Sequence, residues 1–175
     1  MKTKVSIIIA SKDFRDEEYF ITKEILESKE IIVKTFSDKK EAIGKFGGEA
    51  KVDNLIENLK VNDFDAIVFV GGSGAIELLD NDVSYNICKS SIEEGKILAA
   101  ICISPVILAK SGVLKNKKAT VWSSNLDKSA IKILKDNGAL YEKSPVVVDQ
   151  NIITGENAES VKEFSNALIK ALTKS

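Results

Sequence analysis

Four short apolar runs divide the first 101 residues and predict the strands of a buried sheet. They are VSIIIA, IIVKTF, AIVFV and ILAAI, at residues 5–10, 31–36, 66–70 and 97–101. The runs are rich in β-branched residues, and most lack the alternation of apolar and polar positions that marks a half-exposed strand. This pattern is typical of parallel strands that are covered on both faces.

Segments with helical spacing separate or follow these runs. Apolar residues recur at three- and four-residue steps in residues 17–28, 83–95, 126–138 and 158–172. The second and third segments stop at Gly95 and Gly138, as helix C-termini commonly do. Strands that alternate with helices indicate an α/β protein whose parallel sheet is sandwiched by helices and joined by right-handed crossovers.

Two regions do not follow this alternation. Residues 145–155, PVVVDQNIITG, predict two strands around a turn at residues 149–151. Residues 41–60 contain three glycines and are expected to form a short extra strand pairing, followed by a helical turn at residues 52–59.

Composition limits the domain count and the partners. The chain has 175 residues, of which 44% are hydrophobic and 29% charged, enough for one sizeable core, so we expect a single domain over residues 1–175. A net charge of -1 without a basic stripe argues against nucleic acid and membrane surfaces as partners. The apolar run near the N-terminus is too short for a signal sequence or a membrane span, which predicts a cytosolic protein.

The absence of histidine restricts the chemistry most. Without histidine, the chain cannot form a Cys-His or Ser-His dyad, so proton transfer near neutral pH must use a carboxylate, a thiol, a lysine or water. Two cysteines, Cys88 and Cys102, do not make a disulfide framework. A metal site is not expected either, since there is no CxxC pair.

Cys102 follows the strand predicted at residues 97–101. Ser104-Pro105 is a helix-start signature, with Ser104 as the N-cap, and the helix should end at Gly112. Cys102 would therefore lie near the positive end of a helix dipole, where a thiolate is stabilised and the thiol pKa is lowered. The alternative is that Cys102 is a small core residue. Cys88 falls inside a predicted helix, where we expect it only to pack.

Three stretches in chain order resemble the DJ-1/PfpI superfamily. They are AIVFVGGSGAIELL, AAICISPVILAKSGVLKNKKAT and VVVDQNIITG, which resemble the motifs strand-Gly-Gly, A-I-C-x-x-P and V-V-V-D-x-N-x-I-T. The similarity covers nearly the entire chain. It implies a flavodoxin-like fold of the class I glutamine amidotransferase type, a cysteine in a nucleophile elbow, no cofactor, and a homodimer.

The resemblance also implies roles for individual residues. FRDEE resembles the F-E-D-x-E motif, which makes Glu18 the carboxylate that approaches Cys102, with Asp16 as second choice. Without the resemblance, Glu18 is explained as an acid in the first turn of a helix. The backbone N–H groups of Gly72 and Ile103 would form a two-donor oxyanion site.

The sequence departs from the family at several positions. By the resemblance, protease-like members carry histidine where this chain has Ile103, and the DJ-1 branch carries one where this chain has Trp122, so a peptidase is disfavoured. Gly155-Glu156-Asn157-Ala158 replaces the S-R-G-P motif of many members. Arg15, the single arginine, lies beside the predicted site; a gate, a partner for Asp16 and a solvated surface charge all remain open.

The sequence does not fit two common nucleotide-binding motifs. GGSGAIE has Glu77 where a dinucleotide fingerprint needs its last glycine, and the segment after the first strand is too acidic for a phosphate loop.

Two hypotheses about the function remain. One is a cofactor-independent glyoxalase III or deglycase that acts on small reactive carbonyls such as methylglyoxal. The other is a redox sensor whose partner is an oxidant and whose cysteine becomes sulfenic or sulfinic acid.

Overall fold

The computed structural model describes residues 2–174 and contains one large sheet between two helical layers. The strands are β1 (Lys4–Ile8), β2 (Lys12–Phe14), β3 (Ile32–Ser37), β4 (Glu41–Gly44), β5 (Glu49–Lys51), β6 (Asn54–Leu55), β7 (Ala66–Phe69), β8 (Ile97–Ile101), β9 (Lys118–Ala119), β10 (Leu140–Tyr141), β11 (Val146–Asp149) and β12 (Ile152–Gly155). The α-helices are α1 (Asp16–Glu27), α2 (Asp82–Glu93), α3 (Pro105–Ser111), α4 (Ser129–Asp136) and α5 (Val161–Leu172). Short 3₁₀ turns cover Ile56–Asn58, Val61–Asp63 and Ala158–Ser160, and a π-helical turn covers Ala75–Leu79.

The large sheet has seven strands in the order β11-β12-β8-β7-β1-β3-β6. Every neighbouring pair is parallel except β11 and β12, which are antiparallel. If β1, β3, β7, β8 and β12 are counted in chain order, their spatial order is 2-1-3-4-5, which is the flavodoxin-like arrangement. The predicted α/β fold with a mostly parallel sheet is therefore confirmed.

Alternate side chains of the central strands fill two separate cores. In β1, Val5 and Ile7 pack with residues of α1 and α5, such as Leu26 and Phe164, on one face of the sheet. Ile8 packs on the other face with residues of α2, α3 and α4. Both faces of each central strand are thus buried, which explains why its sequence is continuously apolar.

The predicted helices agree with the structure to within three residues at either end, and α4 shows why such a difference arises. This helix begins at Ser129, whereas the spacing predicts a start at residue 126. The cause is local: Ser124 Oγ accepts the N–H of Asp127 at 3.0 Å, and Asp127 Oδ1 accepts the N–H of Ser129 at 2.9 Å. These contacts form a turn in which side-chain oxygens bind the backbone N–H groups of Asp127 and Ser129, so the helix does not begin before Ser129.

Residues 41–60 contain the predicted strand pairing and a helical turn, with additions that the sequence did not indicate. β4 and β5 pair as an antiparallel hairpin, and β2 joins β4 to form a three-stranded sheet. The helical turn is confined to Ile56–Asn58. Before it, β6 adds to the large sheet beside β3.

The fold brings three segments to one edge of the sheet. β1, β7 and β8 are parallel neighbours, with Ile8 opposite Phe69 and Phe69 opposite Ala100. Their carboxyl ends therefore open at the same edge, where α/β sheets hold their ligands. Among residues 2–174, no helix is long and apolar enough to cross a membrane.

Candidate active site

Cys102 occupies a strained turn between β8 and α3. Its backbone is left-handed, with a φ of 64°, which is uncommon for a residue other than glycine and occurs often at functional sites. The strain is held on both sides, because the Cys102 N–H donates to Gly155 O at 2.9 Å and the Trp122 N–H donates to Cys102 O at 2.8 Å. The segments that contain Gly155 and Trp122 thus fix the direction in which the thiol side chain leaves the turn.

Ser104 strengthens this turn by a contact different from the predicted one. It precedes α3 but has helical backbone angles, and its side chain makes no capping hydrogen bond. Instead, the buried Ser104 Oγ donates to Val70 O at 2.7 Å. Ser104 therefore occupies the predicted N-cap position before Pro105, but its hydroxyl does not cap the helix and instead joins the cysteine turn to the end of β7. The helix does end as predicted, with Gly112 left-handed at a φ of 89°.

Glu18 is buried beneath the turn. It lies in the first turn of α1 with no exposed surface, and its Oε2 accepts the N–H of Gly71 at 2.8 Å. Its other oxygen, Oε1, has no hydrogen-bond partner within the described chain. A buried carboxyl oxygen without a partner is costly in free energy, because it loses its hydrogen bonds to water and gains none in the fold.

Gly71 is a site residue that the sequence reasoning missed. A Cβ at this position would lie 2.6 Å from Cys102 Cβ and 2.8 Å from Glu18 Oε2. Only glycine therefore allows the thiol and the carboxyl to approach each other across the end of β7. The Gly71-Gly72 pair was the sequence signal for this close approach, but a role was predicted only for Gly72.

Burial controls the protonation of Glu18. Removal from water raises the pKa of the carboxyl from 4.5 to about 7, because a charged carboxylate is poorly solvated there. The N–H of Gly71, the thiol of Cys102 and the positive charge of Arg15 act in the opposite direction, while Glu17 adds to the rise. The group is therefore partly protonated at neutral pH.

The Cys102 thiol differs from the sequence prediction. Burial raises its pKa, and the charge and the closeness of the Glu18 carboxyl raise the pKa further. The N–H groups of Gly72 and Ile103 lower the pKa but do not outweigh these effects. The predicted lowering of the pKa by the helix dipole is thus not observed. Burial and the neighbouring carboxyl outweigh the stabilisation of a thiolate that α3, a helix of only seven residues, can provide.

The two predicted oxyanion donors do come together. The backbone N–H groups of Gly72 and Ile103 both act on the Cys102 sulfur. Gly72 has a φ of 99°, and a Cβ there would lie 2.3 Å from Asp13 O. Glycine is required at this position, and it lets the backbone present its N–H beside the thiol.

Asp16, the second-choice carboxylate, serves the β4–β5 turn instead. Its two oxygens accept the N–H groups of Phe46 at 2.9 Å and Gly48 at 2.7 Å. The auxiliary role for Asp16 is therefore corrected to a structural one. Trp122 does adjoin the site, through the backbone hydrogen bond to Cys102 described above.

Arg15 lies at the edge of the site and pairs with Glu17, not with Asp16. The Arg15 Nε donates to Glu17 Oε2 at 2.9 Å, and the guanidinium stacks over the ring of Phe46, 4.9 Å from its centroid. The backbone N–H of Arg15 donates to Gly71 O at 2.9 Å. Gly71 thus contacts both Arg15 and Glu18.

Cys88 has the packing role that its helical position predicts. Its side chain is 0% exposed, and burial raises its pKa to about 12. Over residues 2–174, no group of three or more acidic, cysteine or histidine residues is arranged to hold a metal ion.

Comparison with known proteins places this geometry in a family. The family model described as DJ-1/PfpI family matches residues 3–171. An uncharacterised protein of Methanocaldococcus jannaschii is 40% identical over 98% of this chain and 83% of its own length. A protein of Thermococcus kodakarensis named a deglycase is 30% identical over 95% of this chain and 98% of its own length.

A solved structure has the same fold throughout. The crystal structure of a ThiJ/PfpI domain protein from Brachyspira murdochii is 31% identical to this chain and superposes with a TM-score of 0.93. The match covers 100% of this chain and 99% of the other.

Proposed function

Because this chain belongs to the DJ-1/PfpI family, we propose that it is a cofactor-independent enzyme that converts small reactive carbonyl compounds, of the glyoxalase III or deglycase type. The observation that carries the proposal is the pairing of Cys102 with a buried carboxyl whose pKa is about 7. General acid–base catalysis is most effective when the catalytic pKa lies near the working pH. The deglycase name of one relative agrees with this chemistry.

The first step requires Glu18 as a base. With methylglyoxal as substrate, the Glu18 carboxylate accepts the thiol proton while the Cys102 sulfur bonds to the aldehyde carbon. The carbonyl oxygen becomes negatively charged and is stabilised by the N–H groups of Gly72 and Ile103. Glu18 then returns the proton to this oxygen, which gives a hemithioacetal. A thiol with a raised pKa is compatible with this step, because it does not have to be ionised beforehand.

The second step moves hydrogen between adjacent carbons. The Glu18 carboxylate removes the proton from the carbon bonded to sulfur and delivers it to the neighbouring carbon. The hydroxyl proton on the first oxygen passes to the ketone oxygen, so the first oxygen becomes a carbonyl and the ketone becomes an alcohol. The product is a lactoyl thioester of Cys102. Water cleaves this thioester to lactate and the free thiol, so the net reaction is methylglyoxal plus water to lactate.

A peptidase is less compatible with the site. Peptide cleavage needs an acid that protonates the departing amine, and cysteine peptidases use histidine for this role. The chain contains no histidine. The conversion of free methylglyoxal to lactate has no amine leaving group, so a single carboxyl is sufficient for that reaction.

The test is lactate formation from methylglyoxal. We expect turnover by the wild type, loss of turnover in Cys102→Ser and Glu18→Gln, and full activity in the matched variant Cys88→Ser. A wild type that forms lactate no faster than Cys102→Ser would reject the proposal.

The second candidate function is redox sensing, which the difference in exposure between the thiols favours. Cys102 is partly exposed, whereas Cys88 is fully buried, so an oxidant would reach only one sulfur. Mass spectrometry after mild peroxide treatment should then find two added oxygen atoms on Cys102 and none on Cys88. The thiolate is the form that is oxidised, and the raised pKa of Cys102 therefore favours the enzyme over the sensor.

A further inference from the structure

Arg15 is held immediately beside the reactive pair. Its backbone N–H donates to Gly71 O, and Glu18 accepts the N–H of the same glycine. Gly71 in turn contacts Cys102 so closely that a side chain could not fit between them. The backbone of Arg15, the single arginine of the chain, is therefore joined through Gly71 to the segment that contacts Cys102.

The guanidinium of Arg15 is fixed in place before any ligand arrives. Nε and Nη2 contact the two oxygens of Glu17, at 2.9 and 3.4 Å, and the face of the group lies on Phe46. The ion pair does not use Nη1, and the Arg15 side chain retains 33% exposure. A planar donor group that is already oriented loses little entropy when it binds a carboxylate.

The charge of Arg15 also reaches the catalytic carboxyl. It opposes the rise in the pKa of Glu18, so the two groups interact electrostatically. Phe46 beneath the guanidinium is 63% exposed, and together they form a rim with one cationic and one apolar surface. This rim suits a small molecule with a carboxylate next to a short carbon chain.

We propose that Arg15 binds a carboxylate carried by the electrophile that reacts with Cys102. This inference rests on the proposed function and specifies its substrate class: small carbonyl compounds that have a free carboxylate. Uncharged carbonyls would react without this contact. Glu17 competes with the ligand for Arg15 and limits the strength of binding.

The test compares iodoacetate with iodoacetamide as alkylating agents for Cys102. The two probes are nearly equal in size and differ in charge, and alkylation is quantified on the Cys102 peptide. The ratio of the iodoacetate rate to the iodoacetamide rate should fall about fivefold in Arg15→Gln, since hydrogen bonds to charged groups are strong but are weakened at an exposed rim. Glu17→Gln should raise the ratio, because it releases the guanidinium.

Two further variants separate binding from general charge and from folding. Lys45→Gln removes the same charge from the exposed neighbour of Phe46 and should leave the ratio unchanged. Arg15→Lys keeps the charge without the planar donors and should give an intermediate ratio. An unchanged ratio in Arg15→Gln, or an equal fall in Lys45→Gln, would overturn the proposal.

The experiment also distinguishes this inference from the proposed function. Alkylation needs no turnover, so the ratio reports on Arg15 even if methylglyoxal is not converted. Lactate formation without a charge preference would overturn the role of Arg15 alone.

Discussion

Replacing Glu18 by glutamine should change how the stability of the protein depends on pH. The carboxyl has an ordinary pKa of 4.5, and burial raises it to about 7 in the folded protein. The folded state therefore binds this proton more tightly than the unfolded state does. The resulting stabilisation is fully present below about pH 4.5 and is lost as the pH rises through about 7.

The size of the effect follows from the two pKa values. Each pH unit between them is worth about 1.4 kcal/mol, so the displacement from 4.5 to about 7 corresponds to about 3 kcal/mol. No reduction for solvent screening applies, since Glu18 has no exposed surface. Glutamine has the same shape and offers an oxygen to the N–H of Gly71, but it carries no charge at any pH.

Urea unfolding of both proteins between pH 4.5 and 8.5 measures this difference. The free energy of unfolding of Glu18→Gln, relative to that of the wild type, should increase by about 3 kcal/mol across the range. Most of the increase should fall between pH 5 and 7.5. Glu24→Gln, which removes an exposed acid from the same helix, should follow the wild type. Parallel curves for wild type and Glu18→Gln would refute the raised pKa and with it the acid–base role.

Three other predictions follow from the site. The kcat/KM for methylglyoxal should rise with pH through about 7, because the ionised form of Glu18 is the base; a flat pH profile would contradict this. Gly71→Ala should lower the free energy of unfolding by about 1–3 kcal/mol and abolish lactate formation, because its Cβ would lie 2.6 Å from Cys102 Cβ; wild-type stability in urea would show that the site is not tightly packed. Iodoacetamide should label Cys102 in the folded protein and Cys88 only in urea, since Cys88 is 0% exposed; equal labelling rates by mass spectrometry would oppose this.

The main elements were predictable because their signals are local. An unbroken run such as AIVFV specifies a strand covered on both faces, and β7 occupies Ala66–Phe69 as expected. The errors occur where single side chains decide the backbone. Asp127 accepts the N–H of Ser129 and delays α4, and β6 is only two residues long, too short to give a periodic signal.

The sequence and the family resemblance indicated which residues lie together at the candidate site, but not their electrostatics. Chain order places the residues after β1, β7 and β8 at one edge, and the family resemblance identifies Cys102, Glu18 and the two backbone donors. The direction of the thiol pKa depends on how deeply the sulfur is buried and on the charge of Glu18, which comes from a distant part of the chain. A sequence motif near Cys102 contains neither quantity. The motif predicted only that the helix dipole lowers the thiol pKa, and burial of the sulfur outweighs that effect.

These electrostatics explain how a chain without histidine can support proton transfer near neutral pH. Histidine normally fills this role because its pKa lies near 6.5, whereas an ordinary carboxyl is fully ionised and too weak a base. Burial gives Glu18 a pKa of about 7, which is in the range of histidine. The same burial keeps Cys102 protonated until the carboxylate accepts its proton. In the proposed mechanism, turnover therefore requires both Cys102 and Glu18, and loss of either residue should remove turnover completely, not by half.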